Sequence, residues 1–153
     1  MERRSPSTAA GRWTRAEAVI VVAGLLLAAD LLAIPWHHYH LDLADLGVQV
    51  PKFDLRRTGV QRPQAAFGVV AMVIALAMAL HVALVKLAPR VPRLENVHLV
   101  AGAVALGLVL AKLLADRDFL ATGAWAAAAL ALALAYGAFA MSQEAAPGAS
   151  PDG

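Results

Sequence analysis

The sequence predicts an all-α fold, an antiparallel four-helix transmembrane bundle, and three observations carry that prediction. Sixty per cent of the 153 residues are apolar and only 16% are charged, where soluble domains carry about 25%. The mean hydropathy is +0.64. The apolar residues also fall into four runs, each long enough to cross a hydrocarbon core of about 30 Å at 1.5 Å rise per residue. Alternation of polar and apolar residues is absent from these runs, and lipid requires internally satisfied backbone groups, so the spans are helices.

The first span runs from Ala16 to Ile34 and is stopped by Pro35. Its basic start resembles a signal peptide. Its apolar stretch is nevertheless longer than the usual h-region of about 7–15 residues, it contains Asp30, and no clear A-x-A site follows, so a retained span is expected. The second span runs from Ala65 to Ala88, before Pro89. The third runs from Val97 to Ala115, entered through Pro92 and Asn96. The fourth runs from Phe119 to Met141, with Asp118 placed to cap its start.

Residues 1–15 and 142–153 read as disordered tails flanking a membrane domain over 16–141. The connections at Pro89–Asn96 and Asp116–Asp118 are short, which makes neighbouring helices antiparallel. The loop over 36–64 is long. Within it Tyr39, Leu41, Leu43 and then Val48, Val50, Phe53, Leu55 fall at near-alternate positions about Gly47, which predicts a short hairpin on the membrane surface. Pro51 limits the second run to an edge strand.

Orientation follows from Lys and Arg in the flanks. Arg3, Arg4, Arg12, Arg15, Lys86, Arg90 and Arg93 lie on one side; Lys52, Arg56, Arg57, Arg62 and Arg117 lie on the other. The excess, together with the weight of the first flank, places both termini in the cytoplasm and the long loop outside.

Polar residues inside spans are costly and need a reason. Asp30 stands 14 residues beyond Ala16 and Lys112 stands 14 beyond His98, so both reach about 21 Å along parallel helices. They are placed to neutralise each other as a structural ion pair, or Lys112 snorkels to the surface independently; the functional alternative is a proton or ion relay built on Asp30. His81 and His98 lie near the other membrane face, where two imidazoles would titrate near neutral pH, hold a metal, or bond to neighbouring helices. Depth separates His81 from Asp30, so these two make no pair.

The run Trp36, His37, His38, Tyr39, His40 followed by Asp42 and Asp45 offers donors for zinc or copper. Its spacing matches no metal motif. Trp36 and Tyr39 suit an interfacial aromatic belt, with the histidines as interfacial polar residues. Small residues four apart, Gly24/Ala28, Ala103/Gly107 and Ala133/Gly137, permit close helix approach.

Without cysteine, thiol catalysis and thiolate metal sites are excluded. A formal charge of +2 is too small to argue for nucleic acid. Neither a Walker loop nor a nucleophile elbow nor a dinucleotide fingerprint occurs. No cofactor is implied.

The basic tail, the Ile34-Pro35-Trp36 exit, the loop closing on Ala66-Phe67-Gly68 and the Gly123-Ala124-Trp125 opening of the last span resemble a family of small four-span membrane proteins of actinobacteria. That family typically carries Leu-Pro-Trp where the first helix leaves the membrane. The histidine run and basic loop depart from its pattern, which is richer there in Gly and Ser. The resemblance implies a multi-pass protein of the bacterial plasma membrane and brings no catalytic residues.

The expected function is therefore that of a non-enzymatic accessory or interaction protein, with lipid, other membrane proteins or further copies of itself as partners. Lys52, Arg56, Arg57 and Arg62 would suit acidic lipid or envelope polymer. A small proton-coupled transporter or channel subunit using Asp30 is the first alternative. The absence of broken helices or inverted repeats weighs against it. A metal-binding protein using His37, His38, His40 and Asp42 is the second.

Overall fold

The computed structural model describes residues 13–41, 53–62, 64–88, 90–115, 117 and 120–145, the side chains of 38–41 and 53–55 excepted. Four helices and one two-stranded antiparallel sheet make up the order: α1 (Arg15–Ala33), β1 (Pro35–Leu41), β2 (Phe53–Thr58), α2 (Ala65–Leu87), α3 (Glu95–Ala115) and α4 (Thr122–Glu144). All four helices are long and apolar enough to cross a membrane. The chain is a multi-pass, four-helix transmembrane bundle.

The helices close into a ring in which each packs on its sequence neighbours and α1 meets α4. Small side chains make the close approach possible. Ala71, Ala75, Ala105, Ala127 and Ala131 are fully buried, interleaved with Ile20, Leu27 and Leu134. The exterior is apolar as well: Leu80, Val100 and Leu132 are 61%, 64% and 60% exposed. A surface of that kind belongs in hydrocarbon, where close packing rather than water exclusion joins the helices.

Two of the three small-residue pairs lie at contacts. A Cβ on Gly24 would come within 2.8 Å of the Ala75 carbonyl oxygen, and one on Gly137 within 3.0 Å of Ile20 and Val19. The pair Ala103/Gly107 does not pack: Ala103 is exposed and a Cβ on Gly107 would meet nothing within 4 Å.

Helix ends differ in detail from the sequence reading. Helix α1 starts with a capping box, in which Thr14 Oγ1 accepts from the Glu17 backbone N–H and the Thr14 N–H donates to Glu17. Helix α3 begins at Glu95, so Asn96 sits inside it. Helix α4 starts later and ends later than expected. Its cap is Ala121, without a side-chain hydrogen bond, while the anticipated cap Asp118 lies outside the described residues. It continues through Glu144 because Ser142, Gln143 and Glu144 carry no helix-breaking chemistry, and Ser142 Oγ bonds back to the Phe139 carbonyl.

The hairpin in the long loop exists, with shifted boundaries. Pairing starts at the helix exit, Pro35↔Thr58, and runs through His38↔Arg56 to Leu41↔Phe53. The second strand therefore extends three residues past Leu55, while Leu43, Gly47, Val48, Val50 and Pro51 lie outside the described residues. A register irregularity falls between Pro35 and His37, at Trp36. Such a bulge re-aims the extra side chain, here into the bundle.

Candidate functional sites

At the hairpin end, three connections converge on Trp36. It is fully buried, contrary to the aromatic-belt expectation. Its indole N–H donates to Asp30 Oδ2 at 3.1 Å. Lys112 Nζ lies 5.6 Å from the centroid of its ring, within cation–π range. The Trp36 carbonyl accepts from the Ala121 N–H at 2.8 Å, and His37 pairs by its backbone with Leu120. The connection from α3 to α4 thus lies along the hairpin's edge.

Asp30 and Lys112 do reach the same level, as their depths require, but Trp36 mediates between them. Asp30 Oδ1 is buried with no hydrogen-bond partner among the described residues. Lys112, 1% exposed, directs its ammonium at the carbonyls of Gln61 and Gln64, both at 3.4 Å. Gln64 caps α2 in a left-handed conformation at φ 53°, so the lysine charge meets carbonyls turned inward by that bend. The Trp36 indole thus touches both groups, its N–H the carboxylate and its ring face the ammonium.

The backbone closes the junction tightly. The Val60 N–H donates to the Leu31 carbonyl in the last turn of α1 at 3.3 Å, occupying an acceptor that the helix itself leaves open. A Cβ on Gly68 would collide with the Gly59 carbonyl, and one on Gly123 would approach the Pro35 carbonyl oxygen at 2.6 Å. Glycine is required at both because backbone meets backbone there.

The histidine run is divided by this arrangement. His37 is 1% exposed and belongs to the junction. The side chains of His38 and His40 and all of Asp42 lie outside the description. Among the described residues, no group of three or more His, Asp or Glu side chains is placed to hold a metal.

The opposite end, where both termini emerge, holds the second cluster. His81 Nδ1 and His98 Nε2 are 2.7 Å apart, with ring centroids at 4.9 Å and planes tilted by 38°. The remaining nitrogens, His81 Nε2 and His98 Nδ1, are buried without a hydrogen-bond partner among the described residues. Nearby, Glu17 pairs with Lys86 at 2.7 Å, tying α1 to α2. A cavity of about 260 Å³ opens here, lined by Thr14, Glu17, His81, Arg93, His98 and Glu144 among others. Sequence reasoning brought the two histidines together but missed Thr14, Glu17 and Lys86 as interacting groups. The Thr14-x-x-Glu17 spacing is a legible capping signal; the reach of Lys86 to Glu17 depends on packing.

Apolar layers that include Leu27, Ala75, Val109, Ala131 and Leu134 separate the two clusters. Asp30 and His81 are therefore independent, as their depths require.

No family model, no curated protein and no solved structure matches this chain.

Proposed function

We propose that the protein is a non-enzymatic accessory protein of a bacterial plasma membrane, with both termini cytoplasmic, that presents its hairpin to an acidic partner on the outer surface. The observation that supports this most is the fastening of the hairpin root. Trp36, Asp30, Lys112, Gly59 and the Ala121 N–H engage it from several sides, so the strand carrying Arg56 and Arg57 has a fixed base. In this reading Asp30 serves as an anchor for Trp36 in place of an ion relay. Acidic lipid headgroups and anionic envelope polymers share the chemistry that a basic strand attracts.

The test is photo-crosslinking from position 61, an exposed site just past the second strand, in native membranes, followed by mild detergent purification. A discrete acidic partner or an enriched anionic lipid is expected. The paired change Arg56→Glu and Arg57→Glu should abolish its capture while leaving the protein folded. An unchanged capture pattern in that variant contradicts the proposal.

A further inference from the structure

The cavity at the terminal end shares lining residues with a groove between α2 and α3. Between α2 and α3 a second, apolar hollow of about 280 Å³ is lined by Ile74, Met78, His81, Leu94, Val97 and His98 among others. His81, Leu94 and His98 also line the polar cavity. A third hollow, sharing Ile74, Val97 and Ala101 with the second, carries the groove on to Val100 and Val104. The track thus starts in a polar chamber at one membrane face and runs along α3 toward the middle of the bilayer. That is the shape of an amphiphile, with its head in the chamber and its tail in hydrocarbon.

The chemistry of the chamber narrows the head. In a neutral imidazole pair joined nitrogen to nitrogen, one ring donates and the other accepts. Whichever ring donates the shared hydrogen bond, one outer nitrogen is then an N–H donor and the other a lone-pair acceptor. His81 Nε2 and His98 Nδ1 therefore always present one donor and one acceptor, both buried and both without a partner among the described residues. His98 itself is 4% exposed. Buried polar atoms of this kind are normally satisfied.

The charged groups lining the chamber are Glu17 from α1, Arg93 just before α3, Glu95 at its start and Glu144 from α4, with Lys86 of α2 paired to Glu17. Lys86 is engaged by Glu17 at 2.7 Å. The rest leave more carboxylate than guanidinium, which repels a phosphate headgroup. A chamber of about 260 Å³ is below the usual range for a drug-sized ligand, about 300–1,000 Å³, so it suits a headgroup and not a whole lipid.

We propose that this cavity and groove bind a lipid-soluble quinone, in its quinone or quinol form, with the ring oxygens on the His81–His98 pair and the tail along α3. A carbonyl takes the donor nitrogen, and a hydroxyl can serve either nitrogen. The site lies at the opposite end from the hairpin and does not depend on what the hairpin contacts.

The protein reconstituted in phosphatidylcholine nanodiscs would be titrated with decylubiquinone and photolabelled with an azido-quinone. Saturable binding is expected, with adducts confined to the chamber and groove linings, residues 14–17, 74–104 and 141–145. His81→Phe and His98→Phe should each weaken binding at least tenfold. Ala101→Trp, which fills the groove and leaves the imidazoles in place, should do the same, and its unchanged circular dichroism melt would show that the fold survives. Dioctanoylglycerol and short-chain phosphatidylethanolamine should fail to compete. The proposal is overturned by non-saturable labelling, by wild-type affinity in the Ala101→Trp and histidine variants, or by equal displacement with either lipid.

Discussion

The indole N–H of Trp36 donates to the carboxylate of Asp30, six residues back along the chain and on the other side of the Pro35 turn. One hydrogen bond thereby ties the first residue past the helix exit to the last turn of the helix it has just left. Both residues are out of contact with solvent, at 0% and 2% exposure, and the second carboxylate oxygen has no other partner among the described residues.

Trp36→Phe keeps an aromatic ring, smaller than the indole, and removes the donor, leaving a buried carboxylate without its partner. The expected loss of stability is about 1–3 kcal/mol, read as a lower unfolding midpoint in detergent. Asp30→Asn still accepts from the indole through its amide oxygen and should cost less than Trp36→Phe. An equal or larger loss in Asp30→Asn would mean that the charge, and not the acceptor, is what the site requires.

Two glycines on neighbouring helices should respond in opposite ways. Gly68→Ala drives a methyl into the Gly59 carbonyl, and such overpacking costs about 1–3 kcal/mol. Gly107→Ala meets open space and should be neutral or stabilise by up to about 1 kcal/mol through helix propensity. Parallel thermal melts of the two variants check the pair.

At the other end, Glu17 serves both the α1 capping box and the Lys86 ion pair. Glu17→Gln retains an oxygen for the cap and loses the ion pair; Glu17→Ala loses both. Thr14→Ala should cost about 1 kcal/mol as a lost N-cap. A double-mutant cycle on Glu17→Ala and Lys86→Met should return a coupling of up to about 1 kcal/mol, since the pair sits at 8% and 15% side-chain exposure at the membrane face. No coupling would show the ion pair to be incidental.

The helices were legible because run length and stopping prolines decide a span in lipid, whatever the tertiary contacts. Depth counting also placed Lys112 level with Asp30 and His98 beside His81, because rise per residue is fixed. What depth counting does not contain is azimuth. It could not say that an indole would stand between Asp30 and Lys112, or that Ala103 and Gly107 would face outward. Trp36 read as an interfacial aromatic because its identity and its place after Pro35 are the same in both arrangements. The bulge that turns it inward depends on strand register, set by pairing with residues some twenty positions later in the chain.

Four threaded helices put the hairpin on one side of the membrane and the start of α1 and the end of α4 on the other. The chain has no cysteine, so single substitutions Arg56→Cys and Arg93→Cys give clean reporters, both at exposed positions. With a membrane-impermeant maleimide on intact cells, position 56 should label at once and position 93 only after permeabilisation. Labelling of both positions from the same side would contradict the threading.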